Sequence, residues 1–447
     1  MNKHLTFFLF FLFFTGFTTQ AQVIQTIVGT GVPGYSGDFG PAISAKLNGP
    51  YGVSLDDTGN LYFCDYRNHC IRKISPARGG IITTIVGDGT PGYSGDGSLG
   101  IYAQLHYPLD VFVDHQGNVY IADVVNHCIR KVTPSNYITT IAGTGTAGYN
   151  GDGIAATLAQ LNTPEGVTVD SIGNVYIADR ENFRIRKIDT SGFITTVAGT
   201  GIAGYSSDGS SASTAHLDSL NSIRIDRSGS LIITDNVRIR RISPATGGIV
   251  TTIAGTGILG FSGDTGPATS ANIGGGAIGL DNSGNVYLAD ANANRIRKIN
   301  TSGIINTIAG STTGGFGGDG GNPLLAKLAL PQGVCVSNSG DVYIGDVGNN
   351  RIRIVTLQAL ALNDILIKNE YINIYPNPGN GYISIYISSS TQEPFQVTMT
   401  NVFGEKVKSF QIVSNQQTHA ELDMLPGIYY LSATASNRQF IQKLVLQ

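Results

Sequence analysis

The chain has little charge and few cysteines. Only 13% of its residues are charged, and 28 basic against 31 acidic side chains give a formal net charge of −3. This balance creates no positive field that would recruit nucleic acid or an anionic membrane, so no nucleic-acid partner is expected. Four cysteines are too few for a disulfide scaffold. Cys64 and Cys70 flank one predicted hairpin and are expected either to form a disulfide across it or to stay free. Cys335 is expected to be a buried free thiol.

Recognisable catalytic motifs are also absent from the sequence. There is no Gly-x-Ser-x-Gly nucleophile turn, no phosphate loop and no His-Glu-x-x-His pair. The seven histidines are scattered, without the spacing that indicates a zinc site. The sequence therefore assigns no catalytic residue and no metal ligand, and an active site assembled from distant segments stays open as an alternative.

Long apolar runs are missing except near the N-terminus. The run Leu5–Phe14 follows a basic residue and precedes small residues that end at Ala21. This pattern predicts a signal peptide over residues 1–21, cleaved between Ala21 and Gln22. Because no later segment is long enough to span a bilayer, the mature chain is expected to lack a transmembrane segment.

One phrase is repeated six times at steps of 55 to 58 residues. A typical copy has a strand ending near Asp, an Asp-x-x-Gly-Asn turn, a second strand ending in Asp, a polar turn and Ile-Arg-Lys. The copies are Asp56–Ile74, Asp114–Val132, Asp170–Ile188, Asp226–Ile242, Asp281–Ile299 and Ser337–Val355. A strand of the Thr-Ile-Val/Ala-Gly type follows each of the first five copies, so the unit has four strands. Four-stranded units at a fixed period predict an all-β fold, a β-propeller.

The two ends of the repeat array predict how the propeller closes. A Thr-Ile-Val-Gly strand stands alone at Val23–Gly29, and the last unit, Pro331–Val355, lacks its fourth strand. The isolated strand is expected to complete the last unit, which gives six blades over residues 22–356. A parallel β-helix is the competing architecture, and these complementary ends argue against it.

The period stops after Val355, and the remaining sequence has a different pattern. Residues 357–370 are predicted to form a linker. Residues 371–447 contain six or seven short strand-like segments, which predict a small β-sandwich.

Both parts of the chain resemble known families. The repeated phrase and its Gly-Tyr-Ser-Gly-Asp-Gly loops resemble the NHL repeat in its bacterial secreted form. The tail resembles the C-terminal sorting domain of the Bacteroidetes-type type IX secretion system. The residues that carry this second resemblance are Pro376, Asn377, Pro378, Gly404, Gly427, Tyr429 and Lys443. It implies export to the periplasm, transfer by the type IX machinery and a secreted or cell-surface location.

Two charged residue types recur once in every repeat. The loop carboxylates are Asp38, Asp96, Asp152, Asp208, Asp264 and Asp319, and Asp65 begins a similar series at the end of the second strands. Such carboxylates suit Ca²⁺, but each loop offers mostly one, so caps within the glycine-rich loops are favoured. Arginines fill one register of the third strands: Arg72, Arg130, Arg186, Arg240, Arg297 and Arg353. They are expected to pair with carboxylates or carbonyls between blades.

Positions that vary between otherwise similar repeats predict the ligand site. They lie where each first strand begins and in the turns between the second and third strands. The candidate binding residues are Tyr51, Glu165, Asn221, Gln332, Tyr66, Arg67, Arg180 and Glu181. A ring of such side chains around a channel mouth suits a polar ligand. The sequence therefore predicts a binding scaffold for an extracellular glycan or protein, and a lyase or hydrolase acting at the same mouth is the alternative.

Overall fold

The computed structural model describes residues 22–77, 79–243, 248–356, 372–375, 382–389, 392–401, 405–435 and 438–446. The predicted signal peptide, the linker over residues 357–370 and the motif residues Pro376, Asn377, Pro378 and Gly404 lie outside these ranges. The described chain is all-β, and most of its sheets are four-stranded and antiparallel. This arrangement is that of a propeller-like protein.

Between residues 22 and 356, the described chain forms six sheets. After β1 (Val23–Val28), five of them use strands that are consecutive in sequence. The first two contain β2 (Pro50–Leu55), β3 (Leu61–Asp65), β4 (Cys70–Ser75) and β5 (Ile81–Val86), then β6 (Pro108–Val113), β7 (Val119–Asp123), β8 (Cys128–Val132) and β9 (Ile138–Ala142). The third contains β10 (Ile154–Ala155), β11 (Pro164–Val169), β12 (Val175–Asp179), β13 (Arg184–Ile188) and β14 (Phe193–Ala198).

The fourth and fifth sheets repeat this order. They contain β15 (Leu220–Ile225), β16 (Leu231–Asp235), β17 (Arg238–Ser243) and β18 (Ile249–Ala254), then β19 (Ile278–Leu280), β20 (Val286–Asp290), β21 (Arg295–Ile299) and β22 (Ile305–Ala309). The sixth sheet combines β23 (Pro331–Val336), β24 (Val342–Asp346) and β25 (Arg351–Thr356) with β1. Each first strand contacts the first strand of the next sheet, and β23 contacts β2.

The N-terminal strand is the outer strand of the sixth sheet. β1 runs antiparallel to β25, with Val23 opposite Thr356. All six residues of β1 are buried. Ile27 and Val28 pack with the first sheet, whereas Ile24 packs with residues of the fifth and sixth sheets. Each fully buried aliphatic side chain contributes about 1.5–3 kcal/mol, so β1 is a substantial part of the core.

The turns between first and second strands form because an Asp organises them. The Asp56 carboxylate accepts hydrogen bonds from the backbone N–H groups of Thr58 and Asn60, at 3.0 and 2.8 Å. Gly59 between them has a φ of 79°, a conformation that favours glycine. The turn therefore needs the Asp and the Gly at these two positions.

Short 3₁₀ helices, which the sequence pattern does not predict, interrupt the loops. One lies in each long loop: Ala42–Ser44, Gly100–Tyr102, Ala156–Leu158, Ala212–Thr214, Ala268–Ser270 and Pro323–Leu325. Others follow second strands, at Tyr66–Asn68, Arg180–Asn182, Ala291–Ala293 and Val347–Asn349. Single turns of this length leave no periodic apolar signal. β10 is likewise unexpected, and it adds a fifth strand to the third sheet by pairing with β14.

The cysteines do not form a disulfide. All four are free, so of the two states left open for Cys64 and Cys70 the structure has the unbridged one. Cys64 lies opposite Ile71 and Cys70 lies opposite Asp65, at neighbouring register positions of the same strand pair. Because side chains alternate between the faces of a sheet, the two thiols point to opposite sides.

The C-terminal part contains two further sheets around one apolar cluster. One has the order β26 (Ile372–Tyr375), β27 (Tyr382–Ile387), β30 (Gln417–Glu421), and the other has β29 (Lys406–Val413), β28 (Pro394–Asn401), β31 (Gly427–Ala435), β32 (Arg438–Leu446). Side chains from both sheets, including Ile385, Phe395 and Leu431, share the cluster. Two sheets packed in this way are typical of a β-sandwich. The polar β30 (Gln-Thr-His-Ala-Glu) is a strand that the apolar pattern does not predict.

Candidate functional site

Each sheet anchors its long loop through a buried arginine. The third-strand arginines are fully buried. In the first sheet, Arg72 contacts Asp65 at 3.2 Å and the loop residue Asp38 at 2.9 Å. In the first five sheets the distance from arginine to loop carboxylate is 2.8–3.3 Å, and in all six the distance to the second-strand Asp is 3.1–3.6 Å. These pairs satisfy charges that burial would otherwise make very costly.

This arrangement corrects two predictions. The loop carboxylates, from Asp38 to Asp319, do not act mainly as caps of their own loops, because each pairs with the arginine of a third strand. The arginines have the predicted structural role, but they pair within one sheet and its entering loop rather than between blades. The reason is the register: the third strand pairs with the strand that ends in Asp65, and the loop contacts the Arg72 side chain, which donates to the Ser36 carbonyl.

An aromatic ring covers each buried arginine. The guanidinium carbon lies 4.7–5.2 Å from a ring centroid in every sheet, and the rings belong to Tyr35, Tyr93, Tyr149, Tyr205, Phe261 and Phe316. A cation over an aromatic face is attracted by the ring electrons. The Gly-Tyr-Ser-Gly-Asp phrase thus supplies one ring and one carboxylate to the same arginine. We call the side that carries these loops the loop face.

The predicted binding residues that begin the first strands do come together. Tyr51, Glu165, Asn221 and Gln332 line one space in the central channel at the loop face, which we call the mouth. The space is small, about 20 Å³. The equivalent residue of the fifth sheet, Gly276, is not among the lining residues, and its neighbour Ala277 is.

The charged groups of the mouth largely satisfy one another. Glu165 accepts hydrogen bonds from Arg180 and, at 3.0 Å, from the Asn221 amide. Arg180 also contacts Glu181 at 3.4 Å. Burial raises the pKa of Glu165, and Arg180 and Asn221 oppose that rise. The mouth therefore presents a fixed polar network rather than a free charge.

Beside the mouth lies a group of five rings in contact, Tyr51, Tyr66, His69, His106 and Tyr107, which we call the aromatic ledge. The Tyr66 and Tyr107 rings stack with centroids 4.6 Å apart, and the Tyr51 ring centroid lies 5.4 Å from that of Tyr66. His69 lies 4.7 Å from Tyr107 and accepts a hydrogen bond from its backbone N–H. Burial lowers the pKa of His69, which favours the neutral ring that accepts this bond. Tyr66, Tyr107 and His106 remain partly exposed.

Of the ledge residues, His69, His106 and Tyr107 were not predicted as binding residues. A signal was present: positions 106 and 107 are His-Tyr, whereas the same positions of the other repeats hold no ring, as in Asn48-Gly49. Arg67 is exposed next to Tyr66, and Glu181 pairs with Arg180. The structure thus adds His69, His106 and Tyr107, next to the first and second sheets, to the residues predicted around the channel.

Among the residues that the structure describes, no group of three or more His, Cys, Asp or Glu side chains is placed to hold a metal ion. The loop carboxylates that suggested Ca²⁺ each contact an arginine. In the same described ranges, no helix is long and apolar enough to cross a membrane.

Comparison with known proteins gives matches to both parts of the chain. Residues 328–355 match the NHL repeat, residues 146–206 match the Teneurin NHL domain, and residues 373–447 match the secretion system C-terminal sorting domain. Human Teneurin-1 is 28% identical over 391 residues, which cover 77% of this chain. The chain spans only 14% of Teneurin-1.

A cattle protein and a bacterial structure extend these similarities. NHL repeat-containing protein 2 of Bos taurus is 33% identical over 150 residues, 31% of this chain and 20% of its own. The crystal structure of an auxiliary nutrient binding protein from Bacteroides thetaiotaomicron has a TM-score of 0.56 at 16% identity, and the match covers 75% of this chain and 76% of that one. This likeness supports the fold. The chain thus combines an NHL-repeat propeller with a type IX secretion sorting domain, which indicates a secreted or cell-surface protein.

Proposed function

We propose that the protein is an exported binding module whose loop face holds a glycan at the aromatic ledge. In this proposal residues 22–356 form a six-bladed propeller closed by β1, and residues 371–447 are the separate sorting domain. Residues 1–21 direct the chain to the periplasm, from which the type IX machinery moves it across the outer membrane.

The single observation that carries the glycan proposal is the stacked ledge. Tyr66 and Tyr107 are partly exposed, and their positions are fixed by ring stacking and by the hydrogen bond to His69. Aromatic rings offer large apolar faces with polar edges at low entropic cost, which suits a sugar ring that has both kinds of surface. The polar groups of Arg67 and of the mouth lie beside the ledge to bind hydroxyl groups.

The experiment tests the mature chain, beginning at Gln22, against immobilised glycans, followed by calorimetry on the strongest ligand. Tyr66→Ala is expected to weaken binding by about tenfold or more, because one stacking surface is lost. The control is Tyr137→Ala, an exposed tyrosine of the turn between β8 and β9, on the side opposite the ledge. Absence of glycan binding, or equal losses in both variants, would reject the proposal, whereas Tyr66-dependent binding of a protein would replace the glycan by a protein ligand.

Closure by β1 has its own test. Deleting Val23–Val28 removes the outer strand of the sixth sheet and exposes apolar surface on both sides of it. A closed ring is expected to lose its cooperative thermal transition, whereas an open array would only fray at one end. Gln22→Asp, an exposed position just before β1, is the matched control. An unchanged melting temperature after the deletion would exclude closure.

A hydrolase or lyase is the second candidate, and one observation favours it. Glu165 is a buried carboxyl in the channel whose pKa is raised by burial, as in many general acids. If the protein cleaves the glycan that it binds, Glu165→Gln should abolish cleavage and preserve binding. Retained cleavage in that variant would remove Glu165 from consideration.

A further inference from the structure

A cavity lies at the opposite end of the channel from the mouth. It measures about 770 Å³ and is bounded by the ends of the first strands and by the turns that follow them. We call this side the turn face and this space the turn-face cavity. Small-molecule pockets typically measure about 300–1,000 Å³, so the cavity is of ligand size.

One register position of the first strands surrounds the turn-face cavity. It is the position opposite the second-strand residue Tyr62 in the first sheet and Tyr120 in the second. From sheet one to sheet six its occupants are Ser54, Phe112, Thr168, Arg224, Gly279 and Cys335, and all six line the cavity. The preceding position is Val or Ile in every sheet. Because this position holds a different residue in each of the six repeats, the packing within a repeat does not require one residue type there. Its side chains can therefore be specific for one ligand.

A buried ion pair separates the cavity from the mouth. Arg224 and Asp110 form two hydrogen bonds across the channel, at 2.9 and 3.0 Å. Asp110 lines the mouth space and Arg224 lines the turn-face cavity. The charges of Arg224 and Asp110 neutralise each other, so the floor of the cavity has no net charge that would bind a charged ligand.

The floor still holds unused hydrogen-bonding groups. Thr168 is fully buried, and its hydroxyl has no hydrogen-bond partner. Among the described residues, no hydrogen bond involves the Arg224 Nε, whereas both Nη atoms donate. A buried hydroxyl without a partner has lost its hydrogen bond to water, so a ligand oxygen that accepts from it would restore a hydrogen bond that folding removed.

We propose that the turn-face cavity is a second binding site, for an uncharged small molecule that has an apolar body and a carbonyl oxygen. The carbonyl accepts hydrogen bonds from Thr168 and Arg224 at the floor. Its apolar body contacts Phe112, Leu280 and Val336 on the walls. This site does not depend on the glycan proposal, because the ledge and the cavity lie at opposite ends of the channel.

Acetophenone, with toluene as its analogue without the oxygen, tests this assignment by saturation-transfer NMR on the mature chain. The wild-type protein should bind acetophenone more tightly than toluene. Thr168→Val keeps the shape but removes the hydroxyl, so the affinity for acetophenone should fall about tenfold while that for toluene is unchanged. Thr168→Ser should retain acetophenone binding, and Thr251→Val, at an exposed position of β18, should have no effect.

A stability measurement keeps the test decisive. Without a ligand, Thr168→Val removes an unpartnered buried hydroxyl and should melt at the same or a higher temperature than wild type. Loss of acetophenone affinity without loss of stability therefore supports a binding role. The proposal is overturned if neither probe binds or if Thr168→Val leaves the preference for acetophenone intact. It is also overturned if the variant is less stable than wild type, because the hydroxyl would then already have a hydrogen bond to water.

Discussion

The loop face and the turn face each carry an Asp that recurs along the repeats, but the two series work in opposite electrostatic settings. Asp179 on the loop face is fully buried and contacts Arg186, and burial raises its pKa to about 6. Asp170 on the turn face is partly exposed, and hydrogen bonds from the turn around Asn174 outweigh its burial and lower its pKa. The comparison shows that access to water and local hydrogen bonds, rather than residue type, decide whether the pKa of each carboxylate is raised or lowered.

The largest expected effect comes from breaking a loop-face ion pair. Arg72→Met leaves Asp65 buried without its cation and is expected to lower the free energy of unfolding by about 3–5 kcal/mol. Urea denaturation of the mature chain measures the change. The neighbouring Lys73→Met is the control: it removes a partly exposed cation over the Tyr62 ring and should cost less than about 1 kcal/mol. Similar losses in both variants would contradict the buried-pair account.

The pH dependence of stability should separate the two faces. The folded-state pKa of Asp179, and those of its equivalents Asp123, Asp235, Asp290 and Asp346, are raised to about 6 from 3.8. The folded state thus binds protons more readily than the unfolded state between these values, and its stability falls as the pH rises through that window. Unfolding free energy should be higher near pH 5 than near pH 7 by about 1 kcal/mol or more.

The turn-face series has the opposite sign. Because the pKa of Asp170 and of Asp281 is lowered, by hydrogen bonds that outweigh burial, their stabilisation is present at neutral pH and lost only as the pH falls below about 4. Asp179→Asn should reduce the difference between pH 5 and pH 7, whereas Asp170→Asn should leave it unchanged. If stability instead rises from pH 5 to pH 7, the arginines keep the loop-face carboxylates ionised and the pKa directions are wrong.

A smaller effect is expected from the turn-face Asp itself. Asp170→Ala removes the acceptor for the backbone N–H groups of Ile172 and Asn174, and the expected loss is about 1 kcal/mol. Denaturation at pH 7 provides the measurement, and Ser171→Ala in the same turn is the control. A loss as large as that of Arg72→Met would remove the contrast between the faces.

The sequence predicted features that are set by contacts within one repeat. The Asp-x-x-Gly-Asn turn and the strand order follow from local hydrogen bonding, as at Asp56 and Gly59. The pairing of β1 with β25 is a long-range contact, yet it could be inferred because each end of the array lacked what the other supplied. The local sequence pattern and the count of strands at the two ends of the array therefore predict most of the strand arrangement of residues 22–356.

Contacts across the channel could not be predicted in the same way. Asp110 and Arg224 belong to different sheets, 114 residues apart, and no repeat unit contains both. Periodicity gives the position of a residue within its own sheet, but it does not tell which of the six variable side chains meet at the axis. Periodicity therefore placed Tyr51, Glu165, Asn221 and Gln332 at the same end of the channel, where they line one space. It predicted neither the pairing of Glu165 with Arg180 nor the turn-face cavity.

The smallest effect is expected from an exposed pair on the turn face. His115 and Asp57 join neighbouring turns at 2.8 Å, and their side chains are 82% and 62% exposed. Exposed pairs are worth about 0–1 kcal/mol because water screens them, so His115→Ala should change the unfolding free energy by less than about 0.5 kcal/mol. The same urea curves test this, with Gln116→Ala as the neighbouring control. A loss comparable to that of Asp170→Ala would mean that exposure does not set the strength of these contacts, and the distinction between the two faces would need another cause.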